Sequence, residues 1–213
     1  MVYFLMGDRM KRRWMLLIII IGSVGIISDF IYDEFYRNPD VLFSSLRLFK
    51  YFTIQSNLIV IAYFLGLYVF KLDQKSDTYK HYIASVVICI FITFSMFAIF
   101  LESIHDPDGL GLLGSISLHY VVPILAISYL LYYRDEFEFK YSHIKKWPIY
   151  PFFYLTFAII HGTITSDYLY PFLDINSIGI FGLLVTIVSL IGVFLLLSFL
   201  IVKIVSKKGN DFS

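Results

Sequence analysis

Six long apolar segments dominate this chain, and each is long enough to cross a lipid bilayer as a helix. A span requires about 20 mostly apolar residues, because the hydrocarbon core is about 30 Å thick and a helix rises about 1.5 Å per residue. The predicted spans are residues 14–32, 47–70, 82–101, 109–133, 147–166 and 175–202. The short connections leave no room for a soluble domain. We therefore predict an all-α integral membrane protein, a six-transmembrane-helix bundle that forms one domain over residues 1–213.

The composition excludes the main alternative classes. Hydrophobic residues make up 59% of the chain and charged residues 15%, and a soluble core of this length could not bury so much apolar surface. Disordered, collagen-like and coiled-coil chains are excluded by the same balance. Cys89 is the single cysteine, so the chain forms no internal disulfide bond. We expect membrane lipids, and no nucleic acid, as partners.

Basic residues are distributed unevenly, and this distribution predicts the orientation. All but three of the 17 Lys and Arg residues lie in the N-terminal arm, the 2–3 and 4–5 connections or the C-terminal tail region. The exceptions are Arg37, Arg47 and Lys50, on or just after the connection between the first two spans. Because basic segments stay on the cytoplasmic side of a membrane, we predict that both termini are cytoplasmic.

Polar side chains recur at one depth of the predicted bundle, close to its outer side. Counting the helical rise from the outer end of each span places Thr53 about 9 Å deep, His119 about 10 Å and His161 about 7–8 Å. Asp29 lies near the outer end of the first span. Ionisable groups inside a bilayer are costly and usually functional, so we predict a functional site in this layer.

Two further polar residues extend this layer along the second span. Ser56 and Asn57 follow Thr53 by three and four residues, which places all three on one helix face. Each also has a structural interpretation. Hydroxyls of membrane helices often bond to the carbonyl four residues earlier, and a buried amide can join two helices.

A hydroxyl and an imidazole at one depth suit nucleophilic hydrolysis. The His119 ring would remove the proton of a hydroxyl nucleophile, and an amide such as that of Asn57 could stabilise the oxyanion. The alternative is a zinc site built on the two histidines of the layer with Asp29 or Glu102. The chain lacks HxxxH and HExxH spacings, so we expect neither a metal nor another cofactor. A transporter would show internal repeats, and none is evident.

Three segments carry a resemblance to a known family. They are Tyr51-Phe-Thr-Ile-Gln-Ser-Asn-Leu58, Leu118-His-Tyr-Val-Val-Pro123 and Tyr168-Leu-Tyr-Pro-Phe-Leu-Asp174, and Trp147-Pro-Ile-Tyr-Pro151 fits as well. With six spans, the chain resembles the bacterial branch of the androgen-induced and androgen-dependent membrane protein family. Animal members of that family are intramembrane threonine hydrolases that cleave fatty acid esters of hydroxy fatty acids. The resemblance implies a lipid-ester hydrolase in a bacterial plasma membrane.

Matched by motif, the catalytic threonine of the family falls on Thr53 and its histidine falls on His119. Each motif departs from the family spacing by one residue. Thr53 lies four residues before Asn57 instead of three, and His119 lies four residues before Pro123 instead of five. Ser56 therefore stays an alternative nucleophile. The predicted supporting groups are Asn57, Asp29 and His161.

The outer connection between the last two spans is rich in tyrosine and contains a proline. Tyrosine rings favour the headgroup interface, and Pro171 has no N–H with which to continue a helix. We predict a lid over a lipid-accessible cavity that opens toward the outer leaflet, with Tyr170 or Asp174 touching the substrate. The simpler interpretation is an aromatic belt. The competing prediction for the whole chain is a lipid-binding or structural membrane protein, whose polar layer only ties helices together.

Overall fold

The chain folds into helices joined by short connections. A computed structural model describes residues 2–39, 43–72 and 76–205. Every regular element in these ranges is helical, which confirms the predicted all-α class. Three of the lysines on which the predicted orientation depends, Lys75, Lys207 and Lys208, lie outside the described residues.

The α-helices form the framework, and short helical turns of other types extend or connect them. The α-helices are α1 (Val2–Tyr32), α2 (Phe52–Tyr68), α3 (Asp77–His81), α4 (Ile83–Met96), α5 (Gly109–Ile116), α6 (Val122–Tyr132), α7 (Ile149–Thr165) and α8 (Ile175–Val205). The π-helical turns are Asp33–Arg37, Phe97–Leu101 and Ser117–Val121. The 3₁₀ turns are Ser44–Lys50, Glu102–Ile104, Arg134–Glu136, Tyr141–Lys145 and Pro171–Leu173.

Among the described residues, four helical stretches are long and apolar enough to cross a membrane. They are Arg9–Arg37, Asp77–Ile104, Gly109–Tyr132 and Ile175–Val205. They correspond to the first, third, fourth and sixth predicted spans. The second and fifth predicted spans correspond to α2 and α7, which have 17 residues each, at the short end of what crosses a bilayer. The total of six spans stays a prediction.

Helix α2 begins later than the predicted second span. The boundary predicted at residue 47 is corrected to Phe52, because Tyr51 has an extended backbone (φ −83°, ψ 139°) that separates a 3₁₀ turn from α2. Thr53 is therefore the second residue of α2, and the depth of about 9 Å counted from residue 47 does not apply. Its hydroxyl lies at the beginning of a helix.

A buried carboxylate organises the connection between α1 and α2. Asp33 is 1% exposed, and its oxygens accept hydrogen bonds from Arg37 at 3.3 Å, Asn38 at 3.1 Å and Arg47 at 3.4 Å. Burying a carboxylate is costly unless charged donors surround it. This arrangement explains two of the three basic residues that depart from the predicted charge asymmetry, since both arginines are paired with one acid.

The neighbouring acid, Glu34, stabilises the start of the 3₁₀ turn Ser44–Lys50, which precedes α2. The two carboxylate oxygens of Glu34 accept hydrogen bonds from the backbone N–H groups of Phe43 at 2.9 Å and Ser45 at 3.0 Å. N–H groups at the start of a helix lack partners within it, so an acidic side chain stabilises that end. The turn and its continuation into α2 are thereby fixed to the end of α1.

The helices of the first four predicted spans pack in a ring. Helix α1 contacts α2 and α5, α2 contacts α4, and α4 contacts α6. Small residues allow a close crossing of α1 and α5. A Cβ added at Gly25 would lie 2.8 Å from Leu118, and one added at Gly114 would lie 3.1 Å from the backbone nitrogen of Asp29. This crossing fixes the position of the helix that carries His119.

The chain divides into two compact units, Met1–Arg134 and Asp135–Ser213. The second unit contains α7 and α8, and within it the Tyr168 ring packs against Gly162. Helix α8 has a break at Gly179, whose φ of 69° is accessible to glycine and rare for other residues. The single domain expected from the sequence stays a prediction.

Candidate active site

The side chains of Thr53 and His119 meet between α2 and the π-helical turn Ser117–Val121. The distance from Thr53 Oγ1 to His119 Nε2 is 3.3 Å. Thr53 is partly exposed, whereas His119 is buried with 9% of its surface exposed. The expected proximity of the two side chains is confirmed, and their catalytic roles stay predictions.

The other ring nitrogen of His119 determines which proton the pair shares. His119 Nδ1 lies 3.0 Å from the backbone oxygen of Ser115, and a carbonyl oxygen can only accept. We therefore assign the proton of the neutral ring to Nδ1, which leaves a lone pair on Nε2. Nε2 then accepts a hydrogen bond from the Thr53 hydroxyl, the arrangement required of a general base and its nucleophile.

A proline explains why the helix is π-helical around His119. Pro123 has no N–H to donate to the carbonyl of His119, four residues earlier, and its ring crowds that carbonyl. The Val122 N–H instead bonds to the carbonyl of Ser117, five residues earlier, and closes the wider turn. Such turns are rare and occur often at functional sites. The wider turn sets the direction in which the His119 ring leaves the helix.

Aromatic rings enclose the imidazole from the side of α4. Phe97 stacks on His119 with ring centroids 3.7 Å apart and planes 15° apart. Phe97 also meets His105 edge to face at 5.6 Å. A flat apolar wall of this kind keeps the imidazole in one orientation and excludes water from one of its faces.

A second imidazole, that of His105, lies near His119 and was not predicted from the sequence. The ring centroids of His105 and His119 are 6.4 Å apart. Burial and the positive charge of Arg37 lower the pKa of His105 below its ordinary value of 6.5, against the opposing effect of Asp106. The available signal was the short connection between α4 and α5, because any side chain on it lies near the ends of the two helices that it joins.

Ser56, the alternative nucleophile, takes part in a different set of contacts. It is 1% exposed, and its hydroxyl lies 2.8 Å from Thr93 Oγ1 on α4 and donates to the Thr53 carbonyl at 3.1 Å. Because each hydroxyl has one proton and that of Ser56 goes to the Thr53 carbonyl, Thr93 is the donor of the bond to Ser56, and its Oγ1 also lies 3.3 Å from the Cys89 carbonyl oxygen. These contacts tie α2 to α4. The hydroxyl beside the His119 ring is that of Thr53, so the geometry favours Thr53 as the nucleophile.

Asn57 does not fit the oxyanion-stabilising role expected from the sequence. Its Nδ2 donates to the backbone oxygen of Thr53 at 2.8 Å and to that of Leu118 at 3.2 Å. An amide nitrogen carries two hydrogens, and both are engaged by these carbonyls. Neither remains for a substrate oxygen. Asn57 therefore belongs to the site as a link between backbones.

Asp29 lies at the crossing of α1 and α5, where its Cβ is 3.1 Å from the position of a Cβ added at Gly114. It is partly buried and interacts electrostatically with Arg37 and Asp33. These contacts associate Asp29 with the charged connection after α1. The supporting role expected for Asp29 stays a prediction.

His161 belongs to the second unit, where its ring serves the end of its own helix. His161 Nδ1 lies 3.0 Å from the backbone oxygen of Asp167. The Thr165 hydroxyl donates to the His161 carbonyl at 2.7 Å and accepts from the Asp167 N–H at 3.1 Å. These bonds join the last turn of α7 to the residues that follow it. The contacts of His161 thus indicate a structural role.

The predicted lid residues are also engaged locally. Asp174 accepts hydrogen bonds from the Asn176 N–H at 2.9 Å and the Ser177 hydroxyl at 2.5 Å, which caps the start of α8. Tyr170 is buried and stacks on Phe172 at 5.1 Å. These contacts order the connection between α7 and α8, and a substrate contact by Tyr170 or Asp174 stays a prediction.

The zinc alternative lacks a donor set in the described part of the chain. No group of three or more His, Cys, Asp or Glu side chains within residues 2–39, 43–72 and 76–205 is arranged to hold a metal ion.

Comparisons with known protein families, with curated protein sequences and with solved structures found no match for this chain.

Proposed function

We propose that the chain is an intramembrane hydrolase of lipid esters, with Thr53 as the nucleophile and His119 as the general base. The observation that supports this proposal is the 3.3 Å contact between Thr53 Oγ1 and His119 Nε2, with Nδ1 held by the Ser115 carbonyl. A threonine hydroxyl is a weak nucleophile until an adjacent base removes its proton. In this pair the base is buried and the nucleophile is partly exposed, as an enzyme with an external substrate requires.

The proposed reaction has two halves. Thr53 Oγ1 attacks the ester carbonyl carbon while its proton passes to His119 Nε2, and the ester C–O bond then breaks. The alcohol leaves with the proton from Nε2, and the acyl group stays on Thr53. Water attacks the carbonyl carbon of this acyl–threonine ester while its proton passes to Nε2. The bond from that carbon to Thr53 Oγ1 then breaks, Oγ1 takes the proton back from Nε2, and the carboxylic acid is released.

The proposed substrate is a fatty acid ester of a hydroxy fatty acid or a similar lipid ester. The support is the resemblance of the segments around Thr53 and His119 to the androgen-induced and androgen-dependent membrane protein family. The apolar character of the helices around the pair agrees with a substrate that arrives from the membrane. Membrane lipids are the proposed partners.

The proposal includes a membrane arrangement of six spans with both termini cytoplasmic, in a bacterial plasma membrane. The uneven distribution of basic residues supports it, as does the pairing of Arg37 and Arg47 with Asp33. A reporter that is active only outside the cytoplasm, fused after Ser213, should stay inactive. Strong activity of that fusion would contradict the arrangement.

The proposed chemistry is tested by labelling the purified chain with a fluorophosphonate probe and mapping the modified peptide. We expect the label on Thr53 and its loss in Thr53→Ala and His119→Ala. Ser56→Ala is the matched control, because it removes a buried hydroxyl one turn away that bonds to Thr93. A label on Ser56 would identify Ser56, and not Thr53, as the nucleophile.

The second candidate is a structural or lipid-binding membrane protein without enzymatic activity. It is favoured by the bonds from Ser56 to Thr93 and from Asn57 to Leu118, which join helices and need no chemistry to explain them. This candidate predicts no labelling by the fluorophosphonate probe and no ester turnover by the wild-type chain.

A further inference from the structure

Asn57 connects the two backbones on which the Thr53–His119 pair depends. It is fully buried, with 0% of its surface exposed, and lies one helical turn after Thr53 on α2. Its Nδ2 bonds to the carbonyl of Thr53 at 2.8 Å and to the carbonyl of Leu118 at 3.2 Å. The Leu118 carbonyl belongs to the peptide group whose nitrogen is that of His119. A single amide thus joins the nucleophile's peptide group to the one that precedes the base.

The orientation of this amide follows from its two partners. Both are backbone carbonyl oxygens, which only accept hydrogen bonds, so the atom facing them is the nitrogen. The amide oxygen Oδ1 has no hydrogen-bond partner among the described residues. A buried acceptor without a partner destabilises a fold, and its retention requires an explanation. The explanation offered by the geometry is that the side chain is needed for its two donors.

We propose that Asn57 is the positioning residue of the site: it holds α2 at the distance from the turn Ser117–Val121 at which Thr53 and His119 can exchange a proton. This inference rests on the proposed function, since a positioning role has meaning only for a pair that reacts. The Thr53 and His119 side chains approach to 3.3 Å from two different helical elements. A misplacement of about 1 Å between reacting groups can cost about a hundredfold in rate.

Ser56 supplies a matched comparison on the adjacent residue. Ser56 and Asn57 are both buried on α2, and both donate to the Thr53 carbonyl. They differ in the second helix that they reach. Ser56 contacts Thr93 on α4, whereas Asn57 contacts Leu118 beside the base. A general packing effect would make the two residues equally important, and a positioning effect on the pair would separate them.

The test is a comparison of Asn57→Ala, Asn57→Ser and Ser56→Ala in the full chain in detergent micelles. Asn57→Ser is the informative variant if Asn57→Ala does not fold. Its hydroxyl can still bond to the carbonyl four residues earlier, on Thr53, and is too short to reach Leu118. The first readout does not require turnover: the ¹⁵N resonance of His119 Nε2, with Thr53→Val as the reference for a ring that has lost its hydroxyl partner.

We expect both Asn57 variants to move the Nε2 resonance to its position in Thr53→Val, while Ser56→Ala keeps the wild-type position. For a fatty acid ester of a hydroxy fatty acid, kcat should fall about a hundredfold in the Asn57 variants with KM changed less than about threefold.

The inference is overturned if the Asn57 variants keep the wild-type Nε2 resonance, or if Ser56→Ala moves it to the same extent. Failure of the proposed function has a different signature. In that case the wild-type chain hydrolyses no lipid ester, but the Asn57 variants still show the expected resonance changes. Asn57 would then still position Thr53 against His119, and the proposed hydrolysis would be wrong.

Discussion

Two histidines, His119 in the first unit and His161 in the second, show how similar residues acquire different surroundings. Both lie in apolar helices, and in each the Nδ1 atom lies 3.0 Å from a backbone carbonyl oxygen. His119 extends its other nitrogen to the hydroxyl of Thr53, 66 residues earlier in the chain and on another helix. His161 makes its contacts with Thr165 and Asp167, within six residues.

The difference shows that a polar residue in a membrane helix must be judged by the sequence separation of its partners. A bond to the next turn satisfies a helix end and would form in almost any protein with that local sequence. A bond across two helices depends on the whole packing arrangement and on the close crossing of α1 and α5 at Gly25 and Gly114. We therefore propose the catalytic role for His119 and a structural role at the end of α7 for His161.

The sharpest way to break this comparison is to remove each imidazole in turn. His119→Ala should lower lipid-ester turnover at least about a hundredfold, the usual contribution of a general base. His161→Ala should leave turnover within about threefold and shift the thermal unfolding midpoint instead. Turnover rates and unfolding curves of both variants in detergent make the measurement. Equal losses of turnover in His119→Ala and His161→Ala would show that His161 also contributes to the reaction.

Disrupting the π-helical turn Ser117–Val121 should have a second, smaller effect on turnover. Pro123→Ala restores an N–H that can bond to the His119 carbonyl, which favours an ordinary α-helical turn and rotates the ring by up to about 100°. We expect turnover to fall about tenfold or more without loss of fold. Pro151→Ala, in the first turn of the helix that carries His161, is the matched control. Similar turnover in the two variants would mean that the π-helical turn is irrelevant.

Substitutions in the connection between α7 and α8 should lower the stability of the chain. Asp174→Ala removes the acceptor for the Asn176 N–H and the Ser177 hydroxyl, so the free energy of unfolding should fall by about 1 kcal/mol. Asp174→Asn retains an acceptor and should retain most of the stability. Tyr170→Phe keeps the stack on Phe172. A rise in KM in Asp174→Asn or Tyr170→Phe at unchanged stability would support the predicted lid.

His105 should give the smallest effect, a pH dependence of stability. Because the pKa of His105 is lowered in the folded chain, its stabilising contribution is complete above the ordinary value of 6.5. As the pH falls below that value, the unfolded chain binds the proton more readily than the folded chain, and stability declines. His105→Gln should flatten the decline of the unfolding midpoint between about pH 7 and pH 5. Identical slopes would show that His105 is not responsible.

The sequence predicts the helical class and the Thr53–His119 pair because both depend on patterns within the chain. Apolar length identifies helices long enough to span a membrane, and the two short motifs select one hydroxyl and one imidazole. The break at Tyr51 could not be predicted, since neither proline nor glycine marks it. The break comes from the contacts of Asp33 and Glu34 with residues beyond α1.

Partners across helices could be predicted least. The commitment of the Asn57 amide to the carbonyls of Thr53 and Leu118 depends on how closely α2 approaches the turn Ser117–Val121, which no local pattern encodes. The π-helical turn had a signal in Pro123, four residues after His119. The structural role of His161 also had a signal in the sequence, because Thr165 follows it at the spacing of one helical turn.

The most direct test of the account is the turnover of a lipid ester by Thr53→Ala, His119→Ala and the double variant. A nucleophile and base that act as one unit lose nearly everything when either is removed. The account predicts that each single variant is almost as inactive as the double variant, with expression and the unfolding midpoint close to those of the wild type. Single variants that each keep substantial activity, with losses that multiply in the double variant, would contradict it.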